Sequence, residues 1–199
     1  MSLSTQAREP NVTRWLAPLV AAAVIGPSSV ARTDSSAAPP DRAASVAALL
    51  VEADANAASP TRVRRRALRT ALTMLDRLGA RPQQGVADDP VREWCALAGG
   101  CPTTNYRGRV LGPAYRRGWL ATGQEMQVEQ LFLSGRYASV SVASVPDGAI
   151  RLDVIGPNGR TSCGAGPRNC RWMPSFTQRY TITIRNIGAQ ATKVYLVID

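Results

Sequence analysis

The sequence predicts a mainly β protein, an antiparallel β-sandwich of the jelly-roll type preceded by a small helical hairpin. Between Phe132 and Asp199, apolar and polar residues alternate over strand-length segments, and the turn residues of 147–148 and 157–159 separate these segments. Alternation of this kind is typical of strands that bury one face. Helical spacing of the apolar residues is confined to the region before residue 80, which places the hairpin ahead of the sandwich.

Residues 1–31 have the composition of a signal peptide. Arg8 and Arg14 precede an apolar run at 15–25, and Ala31 is a small residue at a suitable cleavage position. The run is shorter than the roughly 20 residues that a membrane-spanning helix needs. We therefore expect export to the periplasm or the extracellular space, and no later segment is predicted to span a membrane.

A Ser-, Ala- and Pro-rich linker is predicted at 32–40, followed by the helical hairpin at 41–80. Asp41 is a suitable N-cap for the first helix, whose apolar residues follow helical spacing. The second helix is expected to begin at Ser59-Pro60, with the proline in its first turn, and to stop at Gly79.

The second helix carries a dense group of arginines. They are Arg62, Arg64, Arg65, Arg66 and Arg69. A solvated polar face is the favoured interpretation, and docking on an anionic surface through Arg64, Arg65 and Arg66 is the alternative. The chain has a formal net charge of +10, but no RNA-binding motif or zinc finger accompanies that charge, so no specific nucleic-acid partner is expected.

Four cysteines form two local pairs. Cys95 and Cys101 lie in a predicted connection at 81–105, and Cys163 and Cys170 lie within the predicted sandwich domain at 106–199. Four cysteines allow three pairings, and the Gly-rich segments inside each pair favour Cys95–Cys101 and Cys163–Cys170. Structural zinc is disfavoured because the chain has no C-x-x-C pair and no histidine. Disulfides agree with export.

The residues offer little catalytic chemistry. Histidine is absent, and no nucleophile elbow, P-loop or dinucleotide fingerprint occurs. We therefore expect no enzyme, with an unfamiliar hydrolase built from Asp, Arg and Tyr groups as the alternative. No cofactor is expected. Calcium has weak candidate ligands in Asp147 and Asp153, although Asp147-Gly148 is better interpreted as a hairpin turn.

Two aromatic residues follow the second cysteine pair, and they are candidate binding contacts. Trp172 and Phe176 come directly after the loop that Cys163 and Cys170 would close. For Trp172, packing between the two sheets is the favoured interpretation, as a tryptophan beside a disulfide often does. With the predicted export, these residues indicate a binding module that recognises a protein or a polysaccharide at the cell envelope.

The last third of the chain resembles the bacterial pre-peptidase C-terminal domain. The resemblance is carried by three strand segments, at 131–142, 147–154 and 180–188, and by the closing strand at 195–198. The resemblance covers roughly residues 124–199. It implies a secreted, non-catalytic β-sandwich that serves as an accessory module. The second cysteine loop departs from the pattern of the family, and so does the lack of an acidic run in the central strand, which argues against calcium binding.

Overall fold

The computed structural model describes residues 41–59, 61–101, 112–163 and 168–199, and these residues form three helices and nine strands. The predicted signal peptide and linker lie outside the described residues. The helices are α1 (Arg42–Ala57), α2 (Arg62–Arg77) and α3 (Pro90–Ala98). The strands are β1 (Arg81–Pro82), β2 (Ala114–Leu120), β3 (Glu125–Phe132), β4 (Ala138–Val145), β5 (Ile150–Ile155), β6 (Thr161–Cys163), β7 (Asn169–Trp172), β8 (Gln178–Asn186) and β9 (Thr192–Ile198).

The strands form two sheets whose order is that of a jelly roll. The first sheet, called here the inner sheet, has the order β1-β2-β9-β4-β7, and the outer sheet has the order β3-β8-β5-β6. Strands β2 to β9 pair antiparallel, with the chain crossing repeatedly from one sheet to the other, as in two interleaved Greek keys. The predicted fold class is therefore confirmed. The short β1 adds a parallel pair at the edge of β2.

The core between the sheets follows from the alternation in the sequence. On β8 the side chains of Tyr180, Ile182 and Ile184 are buried, while the residues between them are more exposed. They meet inward-facing side chains of the inner sheet such as Val140 and Leu196. Burial of one face of each sheet is the main favourable contribution to this packing.

The helices form a third layer on the other face of the inner sheet. Leu50, Leu68 and Leu72 are buried in one cluster with Tyr115 and Tyr195 of the inner sheet. The helices and sheets belong to one compact unit of residues 39–199. The inner sheet is therefore buried on both faces, which explains why β9 is apolar almost throughout.

The helix ends agree with most of the capping signals. The Asp41 side chain accepts a hydrogen bond from the Ala44 amide, and Gly79 takes the left-handed conformation (φ 69°) that stops α2. The predicted start of α2 was wrong. The helix begins at Arg62 with Thr61 as the N-cap, because the Thr61 hydroxyl accepts from the Arg64 amide.

Three polar contacts attach the helical layer to the inner sheet. The Lys193 ammonium lies 2.8 and 2.9 Å from the two carboxylate oxygens of Asp54. Arg42 donates two hydrogen bonds to the carboxylate of Asp199. The Ser139 hydroxyl donates to the Asp41 cap at 2.7 Å. These contacts fix α1 over β4 and β9.

Both predicted disulfides are present. Cys95 of α3 pairs with Cys101, with a Cα–Cα distance of 4.6 Å. Cys163 of β6 pairs with Cys170 of β7, with a Cα–Cα distance of 5.8 Å. Since β6 belongs to the outer sheet and β7 to the inner sheet, the second disulfide joins the two sheets covalently at one edge of the sandwich.

Two turn predictions have different outcomes. The turn at 157–159 joins β5 to β6, which pair antiparallel, so this segment is a hairpin. The segment at 147–148 connects β4 of the inner sheet to β5 of the outer sheet, and these strands do not pair. The hairpin expected there was therefore wrong, because β4 pairs with β7 and β9 while β5 pairs with β6 and β8, and turn residues alone do not fix which strands pair.

Candidate binding surface

One end of the sandwich exposes a group of large apolar side chains, called here the apolar rim. They come from the end of β3, from the β3–β4 loop and from the β7–β8 loop. Its members and their exposed fractions are Leu131 (47 %), Leu133 (49 %), Tyr137 (61 %), Met173 (50 %) and Phe176 (72 %). Single exposed apolar residues are ordinary on protein surfaces, but a group of this kind at one end is a candidate interaction surface.

The two loops of the apolar rim are joined by hydrogen bonds. The Gly135 amide donates to the Pro174 carbonyl at 3.1 Å, and the Ser134 amide donates to the Thr177 hydroxyl at 3.1 Å. Gly135 has a φ of 71°, a conformation that other residues seldom adopt. The loops therefore hold each other, and the rim side chains are presented from a tied backbone.

An aromatic cluster supports the apolar rim from below. Phe132 lies edge-on to Trp172 with ring centroids 4.8 Å apart, and Tyr180 lies 5.3 Å from Trp172. Phe132 and Tyr180 are buried, and Trp172 is partly buried against the inter-sheet core. Edge-on and tilted aromatic pairs at these distances are favourable beyond the area they bury, so the strands on which the loops begin are firmly packed.

Arginines surround the apolar rim. The Arg171 guanidinium carbon lies 4.4 Å from the centroid of the Tyr137 ring, a cation–π contact. Arg136 and Arg179 are exposed beside the two loops. The surface thus combines apolar anchors with positive charge.

A cleft of about 300 Å³ opens next to the apolar rim. Leu131, Leu133 and Tyr137 of the rim line it, together with Arg81 and Arg136. The cleft lies where β3 ends and β4 begins, so a group bound at the rim has an adjoining recess for an extended side chain or chain segment.

The structure separates the two aromatic candidates from the sequence. Phe176 is the most exposed member of the apolar rim, whereas Trp172 packs in the aromatic cluster below it. A direct binding role of either residue stays a prediction. Sequence reasoning missed the other four members of the rim, which are Leu131, Leu133, Tyr137 and Met173. The available signal was the alternation on β3, which turns Val128 and Phe132 inward and therefore turns Leu131 and Leu133 outward.

An Asp–Arg–Tyr cluster, the arrangement that a hydrolase of unfamiliar type would use, lies under the helices. Arg117 forms ion pairs with Asp88 and Glu93, and its hydrogen bonds to them raise its pKa above the ordinary value. The Tyr115 hydroxyl donates to Asp89 at 2.6 Å. None of these side chains lines the cleft beside the rim. The cluster therefore holds α3 and its preceding loop on the inner sheet.

Tyr195 belongs to the same buried layer. Its side chain is 0 % exposed, and among the described residues no group is in hydrogen-bond geometry with its hydroxyl. Burial raises the pKa of Tyr195, and the nearby Asp54 charge raises it further. Burial also raises the pKa of Tyr115, with the hydrogen bond to Asp89 as the next cause.

The weak calcium candidates are each engaged by an arginine. Asp147 lies 2.5 Å from Arg168, and Asp153 lies 2.8 Å from Arg151. Among the described residues, no group of three or more metal-ligating side chains comes together. Calcium binding at Asp147 and Asp153 stays an untested prediction.

The arginines of α2 divide into two sets. Arg64 donates to the Ala55 carbonyl at 3.3 Å, and Arg69 donates to the Ala98 carbonyl at 2.7 Å. These two arginines connect α2 to α1 and α3. All five are exposed, Arg62, Arg65 and Arg66 as well as the two that bond to carbonyls.

Fold and surface together define a jelly-roll sandwich with a helical layer on one face and an apolar rim at one end. Across the described part of the chain, no helix is both long enough and apolar enough to cross a membrane. No protein-family model and no curated protein matches the chain.

Several solved structures show a partial likeness. The periplasmic g-type lysozyme inhibitor PliG of Aeromonas hydrophila is 14 % identical, with 44 % of this chain and 86 % of that chain covered and a TM-score of 0.35. PliG of Salmonella Typhimurium is also 14 % identical, with 44 % of this chain and 89 % of that chain covered and a TM-score of 0.33. A designed double-stranded β-helix is 14 % identical, with 43 % of this chain and 97 % of that chain covered and a TM-score of 0.28. Likeness at this level does not assign a function.

Proposed function

We propose that this protein is an exported, non-catalytic binding module that uses the apolar rim to bind another protein at the cell envelope. The observation that carries the proposal is the convergence of five exposed apolar side chains on one end of the sandwich. They belong to segments more than 30 residues apart in the sequence, at 131–137 and 173–176. A covering partner removes this apolar surface from water, which is favourable.

Export is supported by the disulfides. The described cysteines are all oxidised, and one of the bonds joins the two sheets. Such bonds persist in oxidising compartments and are rare in the reducing cytosol. The signal-peptide composition of residues 1–31 agrees with this location.

The chemistry of the apolar rim fits a protein better than a polysaccharide. Of its five side chains, Tyr137 alone carries a strong hydrogen-bonding group, whereas sugars present many hydroxyls that need partners. Aromatic residues, methionine and arginine are the types enriched in protein–protein interfaces. Since Arg136, Arg171 and Arg179 surround the rim, the matching partner surface has an apolar centre and carboxylates around it.

The experiment places a photo-crosslinking benzophenone residue at Phe176 and, as a matched control, at Ile187. Ile187 is 60 % exposed and follows the far end of β8, away from the rim. Envelope extract is illuminated with each protein, the adduct partner is identified and purified, and its affinity is measured directly. We expect an adduct from position 176 alone. We also expect Phe176→Ser to weaken binding of the purified partner at least about tenfold, as for loss of a buried aromatic anchor.

Three results would overturn the proposal. Adducts of equal yield from positions 176 and 187 would show unspecific contact. An unchanged affinity of Phe176→Ser, with Ile187→Ser as the control, would show that the apolar rim is not the interface. An adduct that resists protease and is removed by glycosidases would show that the partner is a polysaccharide.

A further inference from the structure

Helix α2 has a basic face that the packing of the protein leaves uncovered. Its buried residues, Leu68, Ala71, Leu72 and Leu75, all lie on one side. Helical geometry therefore places Arg62, Arg66 and Arg77 on the opposite side, with Val63, Thr70 and Thr73 beside them. We call this row of six residues the outward stripe. Each of the two threonine hydroxyls donates to the carbonyl four residues earlier, so they do not compete for a ligand.

The structure gives a reason to separate the arginines of the outward stripe from their neighbours. Arg64 and Arg69 bond to carbonyls of α1 and of the α3 end, which accounts for them in the fold. Arg62 and Arg66 are exposed, and no carboxylate occurs in the first turn of α2. Positive charge at a helix N-terminus opposes the helix dipole, so the fold itself gains nothing from arginine at these positions.

Two carboxylates on the elements packed against α2 are already paired with other cations. Asp54 of α1 is paired with Lys193, and Glu93 of α3 is paired with Arg117. Val63, within the stripe, is 80 % exposed and lies one position after Arg62. Val63 adds an apolar side chain to this basic face, and an apolar side chain beside cations can enter the interface of an anionic bilayer.

We propose that the outward stripe of α2 docks the protein on an anionic lipid bilayer. With a rise of 1.5 Å per residue, Arg62 and Arg66 lie about 6 Å apart along the axis, and Arg77 lies about 17 Å beyond Arg66. Such a row matches many separate headgroups and does not converge on one phosphate. No aromatic side chain occurs on the stripe to stack nucleic-acid bases, which favours the lipid surface over a nucleic acid. This docking does not depend on the partner of the apolar rim.

The test compares two double variants of the full chain with the same loss of charge. Arg62→Gln/Arg66→Gln removes charge from the stripe, and Arg160→Gln/Arg185→Gln removes it from exposed positions of the outer sheet and its hairpin. Partition into phosphatidylglycerol–phosphatidylcholine vesicles is measured by sedimentation at several salt concentrations. All proteins share the same N-terminal residues, so differences in partition report on the substitutions.

We expect the stripe variant to partition about 30-fold more weakly, which corresponds to about 1 kcal/mol for each arginine near an anionic surface. The outer-sheet variant should stay within about threefold of the unsubstituted protein, since its arginines lie away from the bilayer. Val63→Ser should weaken partition about fivefold, because a partly buried apolar side chain is lost.

Equal losses in the two double variants would show an effect of net charge alone and would overturn the proposal. Unchanged partition of the stripe variant would do the same. Tighter binding to single-stranded DNA than to the vesicles, with the stripe variant impaired and Val63→Ser unaffected, would identify a nucleic acid as the ligand instead. Circular dichroism and urea unfolding of every variant establish that the fold is retained.

Discussion

Two buried tyrosines on the same face of the inner sheet allow a matched test of the packing under the helices. Tyr115 and Tyr195 are 2 % and 0 % exposed, and each is changed to phenylalanine by removing a single oxygen. The hydroxyl of Tyr115 donates to Asp89 at 2.6 Å, whereas the hydroxyl of Tyr195 has no partner in hydrogen-bond geometry among the described residues. Tyr115→Phe should therefore lower the stability of the protein, whereas Tyr195→Phe should not.

Tyr115→Phe removes a hydrogen bond to a charged acceptor. Asp89 is also the N-cap of α3, accepting from the amides of Val91 and Arg92. A hydrogen bond to a charged group contributes about 1.5–3 kcal/mol. Because Asp89 is half-buried and keeps its two amide donors, we expect the lower end of that range, a loss of about 1.5 kcal/mol.

Tyr195→Phe removes a hydroxyl that is buried away from water and has no partner in hydrogen-bond geometry among the described residues. Such a group costs about 1–3 kcal/mol in the folded state. We expect the phenylalanine variant to be equal to the parent protein or to gain about 1 kcal/mol, since part of the gain is lost to the altered packing. The two variants should thus differ by about 2 kcal/mol.

The assay is equilibrium urea unfolding of the oxidised chain, followed by tryptophan fluorescence, with the slope of the transition as a check that the same surface is exposed. Equal destabilisation by both substitutions would refute the reasoning, because it would mean that Tyr195 does hydrogen-bond in the folded protein, with Asp54 as the obvious acceptor. Neutral behaviour of Tyr115→Phe would show that the cap on α3 does not depend on this tyrosine.

Three further predictions concern stability. First, the raised pKa of both tyrosines means that the unfolded chain releases these protons at lower pH than the folded protein does. The free energy of unfolding should therefore be constant below about pH 10 and fall above it by about 1.4 kcal/mol per pH unit for each tyrosine. Urea midpoints measured across this range should fall less in the double phenylalanine variant. Second, Cys163→Ala/Cys170→Ala should cost about 2.5 kcal/mol from loop-closure entropy, and an unchanged urea midpoint would contradict this. Third, Lys193→Met should cost about 3 kcal/mol because it leaves Asp54 buried without its cation, while the double variant Asp54→Leu/Lys193→Met should recover most of that loss.

The parts of the fold that depend on local patterns were predictable. Alternation identified β8 and β9, the Asp41 cap identified the start of α1, and the short spacing of the cysteines identified both disulfides. Each of these signals is contained within about ten residues of chain, so no knowledge of distant segments is needed.

Other parts could not be found in this way. The sandwich was predicted to begin at residue 106, but the partner of its first strand was not, because the pairing of β2 with β9 joins residues near 117 to residues near 195. Strand β2 does not alternate cleanly, because Tyr115 and Arg117 lie on the same face and one is apolar while the other is a cation that pairs with Asp88 and Glu93. Helix α3 did carry a signal, since Asp89-Pro90 is a cap followed by proline at the first helical position.

The apolar rim was the least predictable feature, because it exists only where two loops meet. In the sequence, Leu133 and Tyr137 have the pattern of residues at the ends of ordinary strands. Met173 and Phe176 have the pattern of loop residues that follow a disulfide. Their proximity depends on the crossing of β3 to β4 and of β7 to β8 between sheets, and on the hydrogen bonds that join the loops.

The arrangement of layers limits where this protein can bind a partner through apolar contacts. Helices cover one face of the inner sheet, and the outer sheet covers the other. The exposed face of the outer sheet is polar, with Glu129, Thr181 and Arg185 among its residues. A jelly roll built in this way offers its ends, where loops are free of the packing requirements of the sheets. Only one end concentrates exposed apolar side chains among the described residues, and for this reason substitutions there should affect binding while leaving the unfolding transition nearly unchanged.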